Sequence, residues 1–396
     1  MIISKAERLN SVKEYYFSSK LRQIKELNEN GMDILNLGIG SPDLAPHDTV
    51  VATLTQGVSG QGIHGYQSYK GIDAMRSAMS KYYLSAYGVR LDPAKEILPL
   101  MGSKEGITHI TQAFINPGDI VLVPDPGYPT YASVSTLAGA KIVTYDLLEE
   151  NNFQPDLEAL EKLPLSQVKM MWLNFPNMPT GTAPDIAVME RLVALAKKHQ
   201  FLLINDNPYS RILTEQPFSI FQITHAFDVA IELNSLSKSH NMAGWRVGWI
   251  SGSAPYIDTI LGIKSNTDSG MFYPLQMAAA KALLLGHDWF EALNSTYEKR
   301  QQRIFELFDL LDCTYSRKQT GLFVWARIPE EVEDVEVLVD DLIFKAEVFI
   351  TPGKIFGKNG ERYLRASLCN DDSQIDAAIT RIRAYVQANS LKKISI

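Results

Sequence analysis

Ser235-Leu236-Ser237-Lys238-Ser239-His240-Asn241-Met242-Ala243-Gly244-Trp245-Arg246-Val247-Gly248-Trp249 is the stretch that decides how this chain is read. It follows the apolar run Val229–Leu233 and leads into another, Val247–Ile250, so Lys238 falls at the C-terminal end of a strand. Parallel α/β sheets place their ligand sites there. Hydroxyls at Ser235, Ser237 and Ser239 flank the lysine, and Gly244 and Arg246 follow. A lysine amine can form an imine with an aldehyde, while serine hydroxyls and an arginine suit a phosphate. Taken alone, the segment also fits a turn lysine beside a structural arginine.

Outward from this point, short apolar runs alternate with helical patterns. Strands are expected at Ile97–Leu100, Ile120–Val123, Lys141–Tyr145, Val168–Asn174, Phe201–Asn205, Val229–Leu233 and Val247–Ile250. Amphipathic stretches separate most of them; in Asp185–His199, Ile186, Met189, Leu192, Val193 and Ala196 share one face. Such alternation implies an α/β fold with a mainly parallel sheet covered on both faces. After about Tyr273 the pattern changes. Helices over Leu275–Leu285 and Trp289–Leu311 lead into Gly321–Ile328, a helix around Val335–Lys345, Val348–Thr351, Tyr363–Ser367 and a last helix near Ser373–Ala388, which reads as a smaller α+β unit. A helix over Lys5–Asn30 is assigned to that smaller unit. The expected division is therefore 45–285 for the large domain, with 1–44 and 286–396 forming the small one.

Composition narrows the function classes. The 396 residues exceed what one small core needs, and 45% of them are hydrophobic. With 38 basic and 45 acidic side chains the formal net charge is −7, against the basic face of a nucleic-acid binder. Cys313 and Cys369 cannot make a disulfide framework. The N-terminus carries charges where a signal peptide needs its apolar stretch, and apolar runs such as Val168–Leu173 fall short of the roughly 20 residues of a membrane span. A cytoplasmic protein with neither a membrane nor a nucleic-acid partner is expected.

Other motifs also follow strand ends. Asp206-Asn207-Pro208-Tyr209 puts a carboxylate where it could pair with a protonated ring nitrogen, with Tyr209 near enough for the ring's phenolic oxygen; a helix-capping aspartate is the plainer alternative. Gly102-Ser103-Lys104-Glu105-Gly106-Ile107 opens a helix whose unpaired N–H groups could cradle phosphate, or is an ordinary helix start. Tyr128, in Pro126-Gly127-Tyr128-Pro129, could offer an aromatic face to a planar ring or pack as a turn residue. Asn174-Phe175-Pro176-Asn177-Met178-Pro179-Thr180-Gly181 is a rigid turn bearing neutral donors. Arg365 stands within the apolar strand Tyr363–Ser367 and suits a carboxylate partner, either a substrate's or a structural one.

In joint order these motifs resemble the class I/II aminotransferases of the fold-type I pyridoxal-phosphate enzymes, over nearly the whole chain. That resemblance implies a large domain with a mainly parallel, mixed seven-stranded sheet flanked by helices, plus a smaller α+β domain. It implies pyridoxal 5'-phosphate as cofactor, carried on Lys238, which also shuttles protons. Asp206 would pair with the pyridine nitrogen and Tyr209 with the ring oxygen. Ser103 and Lys104 (through their backbone), Ser235, Ser237 and Arg246 would bind the phosphate, with Tyr128 stacked on the ring. Arg365 would hold the substrate α-carboxylate, with Gly40, in Asn36-Leu37-Gly38-Ile39-Gly40-Ser41-Pro42-Asp43, running along it. Tyr66, in Gly65-Tyr66-Gln67-Ser68-Tyr69-Lys70-Gly71, matches the tyrosine that family members lend to a neighbouring subunit's phosphate, which implies a homodimer.

One departure stands out. The family's turn reads Asn-Pro-Thr-Gly, whereas this chain has Met178-Pro179-Thr180-Gly181. A thioether cannot donate a hydrogen bond, which leaves Asn174 or Asn177 as substitutes for the ring oxygen, or Tyr209 alone. The bound cofactor's absorbance and imine pKa are then expected to differ from the usual. Gly102–Ile107 together with Lys264–Gly270 is similar to the LL-diaminopimelate aminotransferases and their relatives acting on aspartate, alanine or methionine. In that group Lys104 and an N-terminal tyrosine, Tyr15 or Tyr16, approach the substrate. The implied activity is ping-pong amino transfer from an L-amino acid to a 2-oxo acid such as 2-oxoglutarate.

Rival readings are weaker. Gly38-Ile39-Gly40 lacks the third glycine of a dinucleotide fingerprint, Gly357-Lys358 lacks the hydroxyl of a phosphate-binding loop, and the seven histidines include no H-E-x-x-H pair for a metal. Within the same cofactor class, a carbon–sulfur β-lyase would use the same lysine and ring. A non-catalytic ligand-binding or regulatory protein would be expected to lack Lys238 or Asp206, and both are present.

Overall fold

The computed structural model describes residues 2–394 apart from 13 and 15, with backbone alone for 389–394. Its strands in chain order are β1 (Leu35–Asn36), β2 (Ile97–Leu100), β3 (Ile120–Asp125), β4 (Lys141–Asp146), β5 (Val168–Leu173), β6 (Leu202–Asp206), β7 (Ala230–Ser235), β8 (Gly248–Gly252), β9 (Phe323–Arg327), β10 (Val348–Phe349), β11 (Thr351–Pro352) and β12 (Tyr363–Ser367). All seven runs expected in the central region join one sheet, ordered β2-β8-β7-β6-β5-β3-β4, in which only β8 runs antiparallel to its neighbours. Interior strands such as β6, β7 and β8 are buried along their whole length, as helices on both faces require. The edge strand β4 is mostly exposed or half-buried.

The two faces of the sheet feed two cores through the strand's period of two. On β5, Met171 and Leu173 pack with Met75, Tyr83 and Met189 on one side, while Met170 and Trp172 pack with Ile107, Ile110 and Ile257 on the other. The chain leaves β3 for β4 in one direction and, through β5, for β6 and β7 in the other. That reversal opens a crevice beyond the carboxyl ends of β3 and β5, the usual ligand position in a sheet of this kind.

A third core is built by β9, β10 and β12 with the helices His287–Leu310, Val335–Ala346 and Asp372–Ile394. Phe17 and Ile24, from the helix Tyr16–Glu29, belong to this core, and β1 pairs in parallel with β10. Two expectations are corrected. Lys5–Asn30 is not one helix: a 3-10 turn, Glu7–Asn10, precedes the helix Tyr16–Glu29. The Ser11 hydroxyl donates to the Arg8 carbonyl at 2.6 Å, closing the first turn locally in place of helix continuation. Val348–Thr351 is likewise two pieces in different sheets, β10 beside β1 and β11 beside β12, with Ile350 at the corner.

Among the described residues, no helix is long and apolar enough to cross a membrane.

Candidate active site

A cavity of about 570 Å³ occupies the crevice, within the size range of small-molecule sites. Lys238 projects into it from the short helix Leu236–Ser239, which starts where β7 ends. The Ser235 hydroxyl caps that helix, accepting from the Ser237 N–H at 3.0 Å and donating to the Ser237 hydroxyl at 2.8 Å. The Lys238 ammonium donates to the carbonyl of Gly40. Burial holds its pKa below the usual lysine value, and the charges of Arg365 and Arg246 push the same way, against the influence of Cys369.

One wall is the start of the helix Ser103–Phe114, where β2 ends. Gly102 precedes it with φ at +88°, and no side chain caps the first turn, so the N-terminal end of the helix, with the Ser103 and Lys104 N–H groups, is turned toward the cavity. A Cβ at Gly102 would run into the Arg246 guanidinium, so glycine lets the arginine lie against the helix end. Arg246 itself has φ +56°, a left-handed conformation uncommon outside glycine and asparagine. Ser103, Lys104, Ser235, Ser237 and Arg246 all line the cavity at this end.

Beside it lies the carboxylate of Asp206, at the tip of β6 and buried. The Tyr131 hydroxyl donates to its Oδ2 at 2.8 Å, while Oδ1 has no partner among the described residues. Burial raises the Asp206 pKa from the ordinary carboxylate range to about 6, and the Tyr131 hydrogen bond partly offsets the rise. Tyr131 was not anticipated from sequence. Its ring stacks on Trp172 at 4.8 Å and meets Tyr128 edge-on at 5.4 Å. Tyr128 is on the cavity wall, as is Tyr209, whose ring packs edge-on against Phe323 at 6.1 Å.

Asn174 lines the cavity too, but its side chain also braces the turn after β5. Nδ2 donates to the Asp206 carbonyl at 2.6 Å, and Oδ1 accepts from the Met178 N–H at 2.9 Å. One amide hydrogen is left to face a ligand. Asn177 holds the same turn through Thr180 and the Asn174 carbonyl.

Opposite stands Arg365 on β12, buried, with its guanidinium 3.8 Å from the Phe323 ring centroid and 4.7 Å from that of Phe356. It donates to the Gly38 carbonyl at 2.7 Å and to the Met178 sulfur at 3.2 Å. The thioether that replaces the family's asparagine thus touches the arginine. Gly40 reaches the cavity wall because it has no side chain: a Cβ would collide with the Phe323 ring. Phe17 and Leu21 close this end from the N-terminal helix.

Two expected residues are not part of this group. Tyr66 is 93% exposed and absent from the cavity wall of the single chain. Tyr15 lies outside the described residues; its neighbour Tyr16 packs against Phe17 at 5.8 Å, and it is Phe17 that enters the cavity. Behind the Ser103–Phe114 helix, Glu105, His109 and Asp268 lie close enough to share an ion, but the Lys264 ammonium already contacts both carboxylates.

Comparison with known proteins identifies the family. Residues 32–382 match the family described as aminotransferase class I and II. The LL-diaminopimelate aminotransferase of Dehalococcoides mccartyi is 36% identical over 386 residues, covering 97% of this chain and 99% of the relative. That of Natranaerobius thermophilus is 37% identical over 382 residues, covering 96% and 99%. The solved structure of substrate-bound BacF from Bacillus subtilis superposes with a TM-score of 0.91 at 34% identity, covering 98% of each chain. The chain belongs to the class I and II aminotransferases; it is a pyridoxal-phosphate-dependent transaminase of fold type I.

Proposed function

We propose that this class I and II aminotransferase moves the amino group of an L-amino acid to a 2-oxo acid, with 2-oxoglutarate as acceptor, at the cavity around Lys238. The observation that carries the reading is the meeting, in one cavity, of a lysine with a lowered pKa, a carboxylate with an unpartnered oxygen, a helix start that no side chain caps beside an arginine, and a second, buried arginine.

These residues fit pyridoxal 5'-phosphate. Asp206 Oδ1 is a buried acceptor awaiting a donor, which a protonated pyridine nitrogen supplies. Lys238 would carry the aldehyde carbon. The N–H groups of Ser103 and Lys104, the hydroxyls of Ser235 and Ser237, and Arg246 would hold the phosphate, and Tyr128 would cover a ring face. Tyr209 is the hydroxyl assigned to the ring oxygen, with Asn174 offering its one remaining amide hydrogen. When bound, the cofactor supplies an electron sink for the bond broken at the substrate α-carbon.

Arg365 binds the α-carboxylate, fixed by its aromatic neighbours and the Gly38 carbonyl so that little rotamer freedom is lost on binding. This places the α-carbon between Arg365 and Lys238. The Lys238 amine, neutral more readily than an exposed lysine, takes the α-proton and returns it one atom away. The ionised Asp206 keeps a proton on the ring nitrogen. Tyr131 holds that carboxylate in orientation through Oδ2, which leaves Oδ1 to accept from the ring nitrogen.

The large unit, 45–285, then supplies the cofactor groups, and the small unit, 1–44 with 286–396, supplies Gly40 and Arg365. Two copies form a homodimer in which Tyr66 of each reaches the phosphate of the other, which accounts for its exposure in the single chain. The test is a donor panel, including the LL-diaminopimelate named for the relatives, incubated with 2-oxoglutarate while glutamate is measured. Glutamate in proportion to donor consumed is expected. Ammonia and pyruvate without need of an acceptor would instead mark a lyase.

A further inference from the structure

We infer that Arg300 is a positioning residue for the substrate α-carboxylate, because its guanidinium clamps the Gly40 segment and the end of β12 at a fixed separation. The inference rests on the aminotransferase reading above and adds to it a side chain that stands outside the cavity.

Arg300 lies on the helix His287–Leu310, is 4% exposed, and does not line the cavity. Its Nη1 and Nη2 donate to the two carboxylate oxygens of Asp43 at 2.7 and 2.8 Å, a bidentate pair. Nη1 donates also to the Leu368 carbonyl at 3.1 Å, and Nε donates to Asp372 at 3.1 Å. Asp43 follows Gly40 by three residues, and Leu368 follows Arg365 by three. One planar group therefore grips both of the segments that flank the position assigned to the α-carboxylate. The rigid fork sets how far apart they lie.

The Gly40 segment has few other anchors. Just before it, the Leu37 N–H donates to the Phe349 carbonyl on β10 at 2.9 Å, and the Leu37 carbonyl accepts from the Ser367 N–H on β12 at 2.7 Å. The Gly38 carbonyl accepts from the Thr351 hydroxyl at 2.9 Å and from Arg365. From Ile39 to Pro42, no backbone group pairs with another backbone group among the described residues. The next tie is Asp43 on Arg300, and the fixed φ of Pro42 stiffens the span between.

A neighbouring pair shows what joining helices alone requires. Arg303, three residues on, bonds Asp376 of the last helix at 2.9 Å from a far more exposed position. Burying a guanidinium costs more than such a surface pair, so the burial of Arg300 points to the segment it holds. If the clamp loosens, Gly40 and Arg365 drift relative to each other and the carboxylate is held less well. That hold is made before and during the reaction, so its loss falls on binding rather than on the limiting rate.

The experiment mixes the holoenzyme rapidly with L-glutamate, the product expected from 2-oxoglutarate, and follows the visible band through the half-reaction. Arg300→Lys keeps the charge but loses the fork that spans Asp43 and Leu368. Asp43→Asn keeps the shape but turns one acceptor into a donor facing the guanidinium. Each should raise the apparent Kd for L-glutamate about tenfold or more, with the limiting rate within about threefold and the resting absorbance unchanged. Asp376→Asn, which breaks the surface pair between the same helices, should leave all three alone. An apparent Kd unmoved in both Arg300→Lys and Asp43→Asn, or raised equally by Asp376→Asn, would overturn the inference while leaving the aminotransferase reading intact. So would a change confined to the limiting rate or the absorbance. No spectral change with L-glutamate in the unaltered holoenzyme would overturn both.

Discussion

The two ends of the cavity are built by different means. The end assigned to ring and phosphate is made where β2, β3, β5, β6 and β7 of one mainly parallel sheet stop, each delivering a polar group at or shortly after its last residue. The other end is assembled from the helix Tyr16–Glu29, the segment around Gly38 and Gly40, and β9 and β12, which are far apart in the chain and mostly apolar. A hydrogen-bonded sheet aligns the first end, whereas side-chain packing around Arg365 makes the second. The difference teaches that chemistry and selectivity can reside on separate scaffolds, so substitutions at one end should spare the other.

The largest effect is expected for Lys238→Ala, which should reduce turnover by about 10⁴-fold or more, since it removes both the covalent attachment and the proton carrier. Loss of the visible absorption band should accompany it. Arg365→Lys keeps charge but loses the planar fork, so kcat/KM for donor and acceptor should fall by about 10²-fold while the bound cofactor's spectrum stays the same. A changed spectrum would break the separation of the two ends.

A third effect concerns pH. In the cofactor-free protein the folded Asp206 carboxyl titrates near 6 against 3.8 in the unfolded chain. Below about pH 3 both forms are protonated and nothing is lost. As pH rises from there to about 6 the unfolded form ionises first, so the folded state loses up to about 3 kcal/mol. Thermal melts of the cofactor-free protein should show this decline, and Asp206→Asn should flatten it. Gly102→Ala should weaken cofactor binding about tenfold, because a Cβ displaces Arg246 and the positive φ is strained; donor selectivity should be unaffected. The smallest effect is Tyr131→Phe. Losing its hydrogen bond raises the Asp206 pKa further, so turnover should fall a few-fold, with the acidic limb of the pH–rate profile moved upward.

The same contrast explains what the sequence disclosed. Lys238, Asp206, Ser235 and Arg246 could be picked out because polar residues flanking apolar runs are conspicuous, and the seven strands follow from buried runs of Val, Ile and Leu. Tyr131 was missed although it lies only three residues after Tyr128, in the first turn of the helix that Tyr128 precedes. Phe17 and Phe323 gave no local signal: an aromatic lining a cavity reads like any core aromatic until the tertiary structure sets it beside Arg365. The break at Ser11 was hidden for a similar reason, since one hydroxyl bonding back to Arg8 leaves the surrounding helical pattern unaltered. Tyr66 was legible as a motif, but a single chain offers it no counterpart.

The most direct test of the account is to reduce the holoenzyme with borohydride, digest it, and locate the pyridoxyl group by mass spectrometry. The group is expected on Lys238 alone. A label on Lys104, Lys264 or another lysine, or none at all, would contradict the assignment on which the cavity's chemistry depends.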